Sequence, residues 1–496
     1  MRLRELLAGA DVIEIDGDPD VEVTGLAYDS RRSAPGTLFF CVPGHTSDGH
    51  EFAPLAVQAG AEAVVVERPL ELEPYVVQAR VADARAAMAH AAVRFNDDPT
   101  AELRVAGVTG TNGKTTTAFL VRHLLEEQGV QTGLLGTVKR VVGGAAEEVE
   151  RTTPEAIDLQ ATFRRMLDYG DLACAMEVSS HALALRRTLG IRFAVATFTN
   201  LTQDHLDFHA DMEDYFQVKR RLLVGDDAER RVVNVDDAYG ERLVAEVDCV
   251  TFSATGDPRA DYRAIDLSFD ASGSSFRCAG PGGEVEVDSP LPGRFNVENA
   301  LAAIATAGEL GIALEDAARA LASAERVPGR FEPVDEGQPF AVLVDYAHTP
   351  DSLENVLAAA RQVTDGRLIA VFGCGGDRDR DKRPLMGEIG ARDADACIVT
   401  SDNPRSEDPQ AIIDEIVAGV PSGRRSELAV EPDRRAAIAR ALGLGREGDT
   451  VVIAGKGHEQ GQELAGGRKV PFDDREVARE ELRQLAAPAG GAAAPR

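Results

Sequence analysis

The segment Val108–Thr117, VTGTNGKTTT, joins a predicted strand (Leu103–Val108) to a predicted helix that runs to about Gln128. Its glycines let backbone N–H groups wrap a polyphosphate, Lys114 adds a cation, and the Thr115 hydroxyl suits a magnesium ion. The chemistry indicated is use of a nucleoside triphosphate. The loop departs from the standard phosphate-loop pattern: five residues before Gly113 stands Val108, and the glycine comes at Gly110 instead. We read it as a specialised variant of that loop.

More polar segments follow predicted strands. Glu177 lies near the end of Leu172–Val178 and precedes Ser179-Ser180-His181. The strand Phe193–Thr199 leads to Asn200 and then Asp204-His205-Leu206-Asp207. A carboxylate and a histidine beside a phosphate loop are candidate magnesium ligands, directly or through water. Singly each reads as a solvated or packed residue, and only their shared edge favours the functional reading. Lys219, in Tyr215-Phe-Gln-Val-Lys219, falls on a predicted helix, where spacing alone gives a surface lysine. Toward the C-terminus come Asp345-Tyr-Ala-His348-Thr-Pro, Gly373-Cys-Gly-Gly-Asp-Arg, Ser401-Asp-Asn-Pro-Arg405 and Gly455-Lys-Gly-His-Glu459. Arg405 and Arg383 are candidate bidentate carboxylate clamps, and Glu459 and Asp402 candidate partners for an ammonium. That set suits a zwitterionic amino acid; the residues alone leave an ordinary loop of surface charges equally open.

The elements that must position these groups alternate along the chain. Residues 1 to about 98 carry short strands and turns, such as Gly36–Pro43, then alanine-rich helical segments. From about 99 to 329, strands and helices alternate, which predicts a parallel sheet covered on both faces, with an antiparallel insertion near Ser268–Pro292 and a closing helix Val297–Leu310. A turn at Pro328-Gly329 opens a second alternating region, about 330 to 485, with strands Ala341–Asp345, Leu368–Phe372, Ala396–Thr400 and Thr450–Ala454. The tail Ala486–Arg496, rich in alanine, glycine and proline, reads as disordered. The fold class is therefore α/β in three domains: an N-terminal mixed α/β substrate domain, a central P-loop-type parallel-sheet ATPase domain and a C-terminal Rossmann-like domain. In open α/β sheets, ligands bind at the carboxyl ends of the strands, where these polar segments lie.

Composition narrows the partners. A chain of 496 residues exceeds a single core, and 44% hydrophobic content is ordinary for a globular protein. No apolar run reaches the roughly 18 residues of a membrane span, and acids appear too early for a secretory signal. The expected location is the cytoplasm. A net charge of −30, spread along the chain, disfavours nucleic acid and anionic lipid as partners. The cysteines Cys41, Cys174, Cys249, Cys278, Cys374 and Cys397 form no C-x-x-C pair and read as buried thiols in a reducing compartment. Lysine survives only at Lys114, Lys139, Lys219, Lys382, Lys456 and Lys469 in an arginine-rich chain, hinting at tasks arginine cannot perform.

Together these segments resemble the Mur ligases, most closely the branch that adds diaminopimelate as the third peptide residue of the peptidoglycan precursor. The resemblance spans the chain up to its tail. It rests on TGTNGKT (Thr109–Thr115), EVSSH (Glu177–His181), DHLD (Asp204–Asp207), GRFNVEN (Gly293–Asn299), DYAHTP (from Asp345), GDRDRDKRP (from Gly376), DNPR (from Asp402) and GKGHE (from Gly455). It implies ATP and Mg2+, with Thr109, Gly110, Thr111, Asn112, Gly113, Lys114 and Thr115 on the phosphates. Asn296 and Asn299 would lie near the adenine, Asp345 on the ribose side and Arg330 at the γ-phosphate. Thr115 and Glu177 would serve one magnesium ion; His205 and Lys219, carbamylated into a carboxylate-like ligand, would serve a second. Lys114, Lys219, Arg330 and His205 would then carry catalysis. Ser30, His45, Thr46 and Ser47 match the uridine-diphosphate pocket, and Thr152, Thr153, Ser179 and Arg187 the sugar–dipeptide. Leu185 stands where some relatives carry a glutamine contact. Arg405, with Arg383, Asp402, Asn403, Pro404, Gly455 and Glu459, would read meso-diaminopimelate. Addition of L-lysine, folate polyglutamylation and a non-catalytic nucleotide-binding scaffold are the rival readings.

Overall fold

Three large sheets and one two-stranded hairpin form among the described residues of the computed structural model, which describes residues 1–44, 47–149, 151–270 and 272–486. The first sheet comprises β1 (Val12–Asp16), β2 (Gly25–Ala27), β3 (Thr37–Phe40), β4 (Ala61–Val66) and β5 (Val77–Val81), in the order β1-β5-β4-β3-β2. It is mixed: β2 to β5 pair in parallel and β1 lies antiparallel to β5. Alternate residues feed two cores. Leu38, Phe40, Ala63 and Val65 meet Met88 and Ala91 of the helix Ala84–Phe95, while Phe39, Cys41, Val64 and Val66 meet Ala53 and Ala56.

The chain divides into two compact units: residues 1–109, 125–197 and 218–231 form the first, and 110–124, 198–217 and 232–496 the second. Besides the N-terminal sheet, the first unit holds β6 (Arg104–Thr109), β7 (Thr132–Leu135), β8 (Arg140–Val142), β9 (Ala145–Glu147), β10 (Ala173–Glu177) and β11 (Phe193–Phe198), ordered β11-β6-β10-β7-β8-β9. β6, β10 and β7 pair in parallel and are buried nearly end to end, the pattern of strands covered on both faces. Close packing is felt at Gly107, where a Cβ would press on the Phe193 ring.

In the second unit the end of β12 (Ala228–Asn234) pairs with β13 (Val250–Ser253), followed by β14 (Tyr262–Phe269), β15 (Ser274–Gly280) and β16 (Gly283–Ser289). The antiparallel region therefore begins at Tyr262, earlier than expected, and continues the sheet through the parallel β13–β14 pair. The helix Arg294–Glu309 starts three residues before its expected position, because Gly293 (φ 97°) provides the turn into it. The third sheet has β17 (Glu332–Pro333), β18 (Ala341–Asp345), β19 (Leu368–Phe372), β20 (Ala396–Val399), β21 (Leu428–Val430) and β22 (Thr450–Ala454), ordered β17-β18-β22-β19-β20-β21. All but β17 are parallel. Leu343, Ala370, Phe372 and Val452 face one core; Val344, Ile369, Val371 and Ile453 face the other. A hairpin, β23 (Gly461–Leu464) and β24 (Arg468–Pro471), follows. This is the expected three-domain α/β architecture, each domain built on its own sheet. The helix Asp474–Ala486 absorbs the first residue of the expected tail, and the remainder lies outside the described residues.

Candidate active site

β6 delivers Thr109, fully buried, to a loop that only glycine can form at two positions. Gly110 (φ 148°) and Gly113 (φ 86°) take backbone angles that side chains rarely adopt. A Cβ on Gly110 would also meet the Thr199 hydroxyl, and one on Gly113 the Asn299 carboxamide. Asn200 shapes the loop from below: its carbonyl accepts from Thr111 N (2.9 Å) and its side-chain oxygen from Asn112 N (2.8 Å). The Asn112 amide donates in turn to Asp351 (2.6 Å), on the helix Pro350–Gln362. The helix Lys114–Glu127 opens directly at the loop, so its unsatisfied N–H groups and the loop amides converge. Lys114 folds over that curve, donating to the carbonyls of Gly110 (3.0 Å) and Thr111 (2.7 Å). Arg330 donates to the Thr115 hydroxyl (3.1 Å) and stacks over Tyr346, 4.3 Å from the ring centre. Its Nε is buried without a partner among the described residues.

The other nucleotide-side candidates form ordered pairs. The Asn299 amide donates to Asn296 Oδ1 (3.2 Å), and the Asn296 amide to the Pro292 carbonyl (2.8 Å). Asp345 accepts from the amides of Phe331 and Ala347, each at 2.7 Å; burial raises its carboxyl pKa despite Arg330 nearby. His205 sits at φ 57° beside Asp204 and edge-on to Tyr215. Burial pushes the Asp204 carboxyl up, but neighbouring His205, Lys382 and His348 outweigh it and hold the group well below the usual range.

In the first unit, Glu177 is 1% exposed and accepts from Thr137 through both its backbone N–H (2.6 Å) and its hydroxyl (3.1 Å). The dipeptide candidates collect around it. Thr153 donates to the Glu177 carbonyl (2.9 Å) and accepts from Ser179 N (3.2 Å), and Thr152 meets the Thr137 hydroxyl (3.0 Å). Arg187 donates to the Thr153 carbonyl (3.1 Å) and pairs with Glu155 (2.9 Å). Glu155 also holds Arg85 (3.3 Å) and Arg151 (3.0 Å), so three guanidinium groups share one buried carboxylate. Ser30 opens a short 3-10 turn capped by Asp29, and the Ser47 carbonyl accepts from Gly44 N (3.0 Å). His45 and Thr46 lie outside the described residues.

In the second unit the amino-acid candidates gather past β20 and β22. Arg405, in the left-handed region (φ 52°), donates to Glu463 (2.8 Å) and to the Gly376 carbonyl (2.8 Å). Asn403 donates to Glu459 (3.0 Å), and the Pro404 carbonyl packs against Gly376. Gly455 (φ 124°) leaves room for the Asp402 carboxylate.

Comparison with known proteins identifies the family. Three domain profiles match in chain order: "Mur ligase family, catalytic domain" at residues 22–104, "Mur ligase middle domain" at 108–307 and "Mur ligase, glutamate ligase domain" at 329–457. The protein named UDP-N-acetylmuramoyl-L-alanyl-D-glutamate–2,6-diaminopimelate ligase in Syntrophomonas wolfei is 48% identical over 97% of this chain and 99% of its own. Its Streptomyces coelicolor namesake is 48% identical over 94% of each chain. A solved structure titled as the same ligase is similar at TM-score 0.69 with 33% identity, covering 98% of this chain and 100% of that one. The MurF structure from Acinetobacter baumannii, at 19% identity and TM-score 0.65, shares the fold. The chain belongs to the Mur ligase family. It is accordingly an ATP-dependent, ADP-forming ligase.

Two of the expected site residues are buried. Arg383 is 0% exposed and spent inside the protein: it pairs with Glu407 (2.8 Å) and Glu415 (2.7 Å) and donates to the Gly375 carbonyl. It clamps the Glu407 carboxylate with both terminal nitrogens and braces the loop through Gly375. Lys219 is a core residue, 1% exposed, because it shares the buried stripe of the helix Met212–Val224 with Tyr215, Leu222 and Leu223. Two partnerships escape sequence reasoning. Arg434 and Asp474 form a fully buried pair at 2.7 Å, and Lys456 pairs with Asp402 and Glu459. The scarcity of lysine is the one sequence signal for the latter.

Thr115 and His205 belong to the second unit, Glu177 and Lys219 to the first, and among the described residues no three His, Cys, Asp or Glu side chains form a metal-binding group. Magnesium takes few protein oxygens and retains water and substrate phosphate as ligands, so this sparse donor set fits it. Among the described residues no helix is long and apolar enough to cross a membrane.

Proposed function

We propose that this ligase joins meso-diaminopimelate to the D-glutamate of UDP-N-acetylmuramoyl-L-Ala-D-Glu, in the cytoplasm, as a step of peptidoglycan synthesis. The observation that carries the substrate choice is Arg405. Its guanidinium is aimed by Glu463 and the Gly376 carbonyl beside Asn403, a planar fork suited to the second carboxylate that lysine lacks.

The γ-carboxylate of D-glutamate attacks the γ-phosphorus of ATP, and the bond to the departing ADP oxygen breaks, giving an acyl phosphate. The amine of diaminopimelate then attacks the acyl carbon; phosphate leaves and the amine nitrogen loses a proton. Lys114 and the loop amides from Gly110 to Thr115 cradle the phosphates, and Arg330 approaches from Thr115 to meet charge on the γ-phosphoryl group. Asn296, Asn299 and Asp345 hold the nucleoside. Thr152, Thr153, Ser179 and Arg187 orient the dipeptide, with Ser30, His45, Thr46 and Ser47 on the uridine diphosphate. Thr115 and Glu177 would hold one magnesium ion, and His205 and carbamylated Lys219 a second; bound ions would supply charge neutralisation at the phosphates. The deciding assay is phosphate release with ATP, magnesium and UDP-N-acetylmuramoyl-L-Ala-D-Glu, comparing meso-diaminopimelate with L-lysine. Preference for lysine refutes the role of Arg405, and silence with both points to a different acceptor or to a scaffold.

A further inference from the structure

Lys456 is a buried cation to which the reaction above gives no task. It follows β22, in a turn where Gly455 (φ 124°) and Gly457 (φ 55°) both take glycine-favoured angles, and its side chain is 0% exposed. Its ammonium donates to Glu459 Oε2 (2.8 Å) and Asn403 Oδ1 (2.9 Å) and pairs with Asp402 at 3.5 Å. Asn403 is thereby oriented without ambiguity: Oδ1 accepts from Lys456 and from Glu463 N (2.9 Å), and Nδ2 donates to Glu459 (3.0 Å). One lysine thus fixes three side chains that come from two separate strand ends.

The local charge count is informative. Arg434 and Asp474 cancel as a buried pair, which leaves two carboxylates, Asp402 and Glu459, facing one ammonium. Among the directly bonded groups two carboxylates share one ammonium, with the Arg434 guanidinium also near Asp402. Asp402 is nearly enclosed (7% exposed), whereas the Glu459 side chain is 31% exposed and is the open side of the cluster. A buried charge is tolerated when it is paired and hydrogen-bonded, and one further ammonium arriving at Glu459 would complete the pairing.

We propose that Lys456 is a positioning residue for the amino-acid substrate: its buried ammonium locks Asp402, Asn403 and Glu459 as acceptors and leaves the cluster matched to one incoming ammonium. This rests on the amino-acid site assigned above and deepens it. The substrate's distal end is a zwitterion, so its ammonium meets Glu459 while its carboxylate meets Arg405. Without Lys456, Asp402 and Glu459 repel each other and Asn403 loses one of the two donors to its Oδ1, so the acceptors hold their geometry less firmly.

The test is steady-state phosphate release by the full chain, with each substrate varied in turn. Lys456→Met is expected to raise KM for meso-diaminopimelate at least tenfold while KM for ATP and for the UDP-linked dipeptide stays within twofold. Lys456→Gln keeps an N–H donor near Asn403 and serves if the methionine variant does not fold; a rise of at least threefold, again confined to the amino acid, is expected. An unchanged amino-acid KM, or a parallel rise in all three, overturns the proposal. No diaminopimelate-dependent turnover by the unaltered protein would overturn the assignment of that amino acid along with it, an outcome distinct from either.

Discussion

At the scale of single residues, the chemistry divides into groups that face a ligand and groups that hold them. Arg405 has its Nε and one terminal nitrogen anchored, which costs it freedom but aims the remainder. Arg405→Lys should therefore do more than lose a charge contact, because an ammonium cannot span a carboxylate as a fork does. Leaving a substrate carboxylate unpaired in such a site costs about 2–5 kcal/mol. We expect kcat/KM for diaminopimelate to fall at least thirtyfold and the preference over lysine to shrink; a retained preference in competition assays would contradict the assignment. Lys219 poses a sharper question. Lys219 is 1% exposed on a buried helical stripe, and a carbamate there would turn a cation into a carboxylate-like ligand. Lys219→Ala should lose turnover, and formate or acetate should restore part of it. Failure of both acids across a concentration series would remove the carbamate role. The resemblance reaches Lys219, but its burial is not legible from spacing, since tertiary cover decides which helical face is hidden.

At the scale of elements, the parallel strands of the third sheet are legible nearly to the residue because they are apolar on both faces and bounded by glycine, aspartate or threonine. The 3-residue β21 and the hairpin β23–β24 are not, having neither length nor a distinct apolar pattern. The roles of Arg383 and Lys456 are hidden for a related reason: spacing shows which charges share a sheet edge, not which of them pair with each other. Two elements carry testable titrations. Glu298, on the helix Arg294–Glu309, has its carboxyl raised from 4.5 to about 7 by burial and by neighbouring Asp236, with Asp351 and Asp237 adding and Arg294 opposing. A raised carboxyl favours the protonated fold, so stability falls as pH climbs from 4.5 through about 7. Glu298→Gln should raise the melting temperature more at pH 8 than at pH 5, by up to about 3 kcal/mol of stability. An equal shift at both pH values would count against it. Arg383 predicts the opposite slope. Its hydrogen bonds hold Glu407 down at about 2, and Glu415 is lowered too, chiefly by Arg380 and then by Arg383. That contribution is complete above 4.5 and lost as pH falls toward 2, so melts between pH 5 and 2.5 should be steeper for the wild type than for Arg383→Gln.

At the scale of the whole molecule, a net charge of −30 sets two electrostatic effects against each other. Arginine–carboxylate pairs cover the surface, such as Arg242 with Glu213 and Arg435 with Glu480, and salt weakens them. Exposed pairs of this kind are worth about 0–1 kcal/mol each, and many contribute nothing measurable. Repulsion among the uncompensated acids is longer in range and grows with the square of the excess charge, so at low ionic strength it outweighs the pairs. Screening has a length of about 10 Å at 0.1 M salt, long enough to leave buried pairs such as Arg434–Asp474 intact while it damps repulsion across the surface. The melting temperature should accordingly rise by several degrees between 10 mM and 300 mM sodium chloride at pH 7.5. Sodium sulfate at equal ionic strength should do more, since it also strengthens apolar burial. The two salts separate the causes: a rise with sulfate alone would mean that burial responds and charge does not. A fall with chloride would mean that the surface pairs, not the excess acids, govern the stability of the molecule.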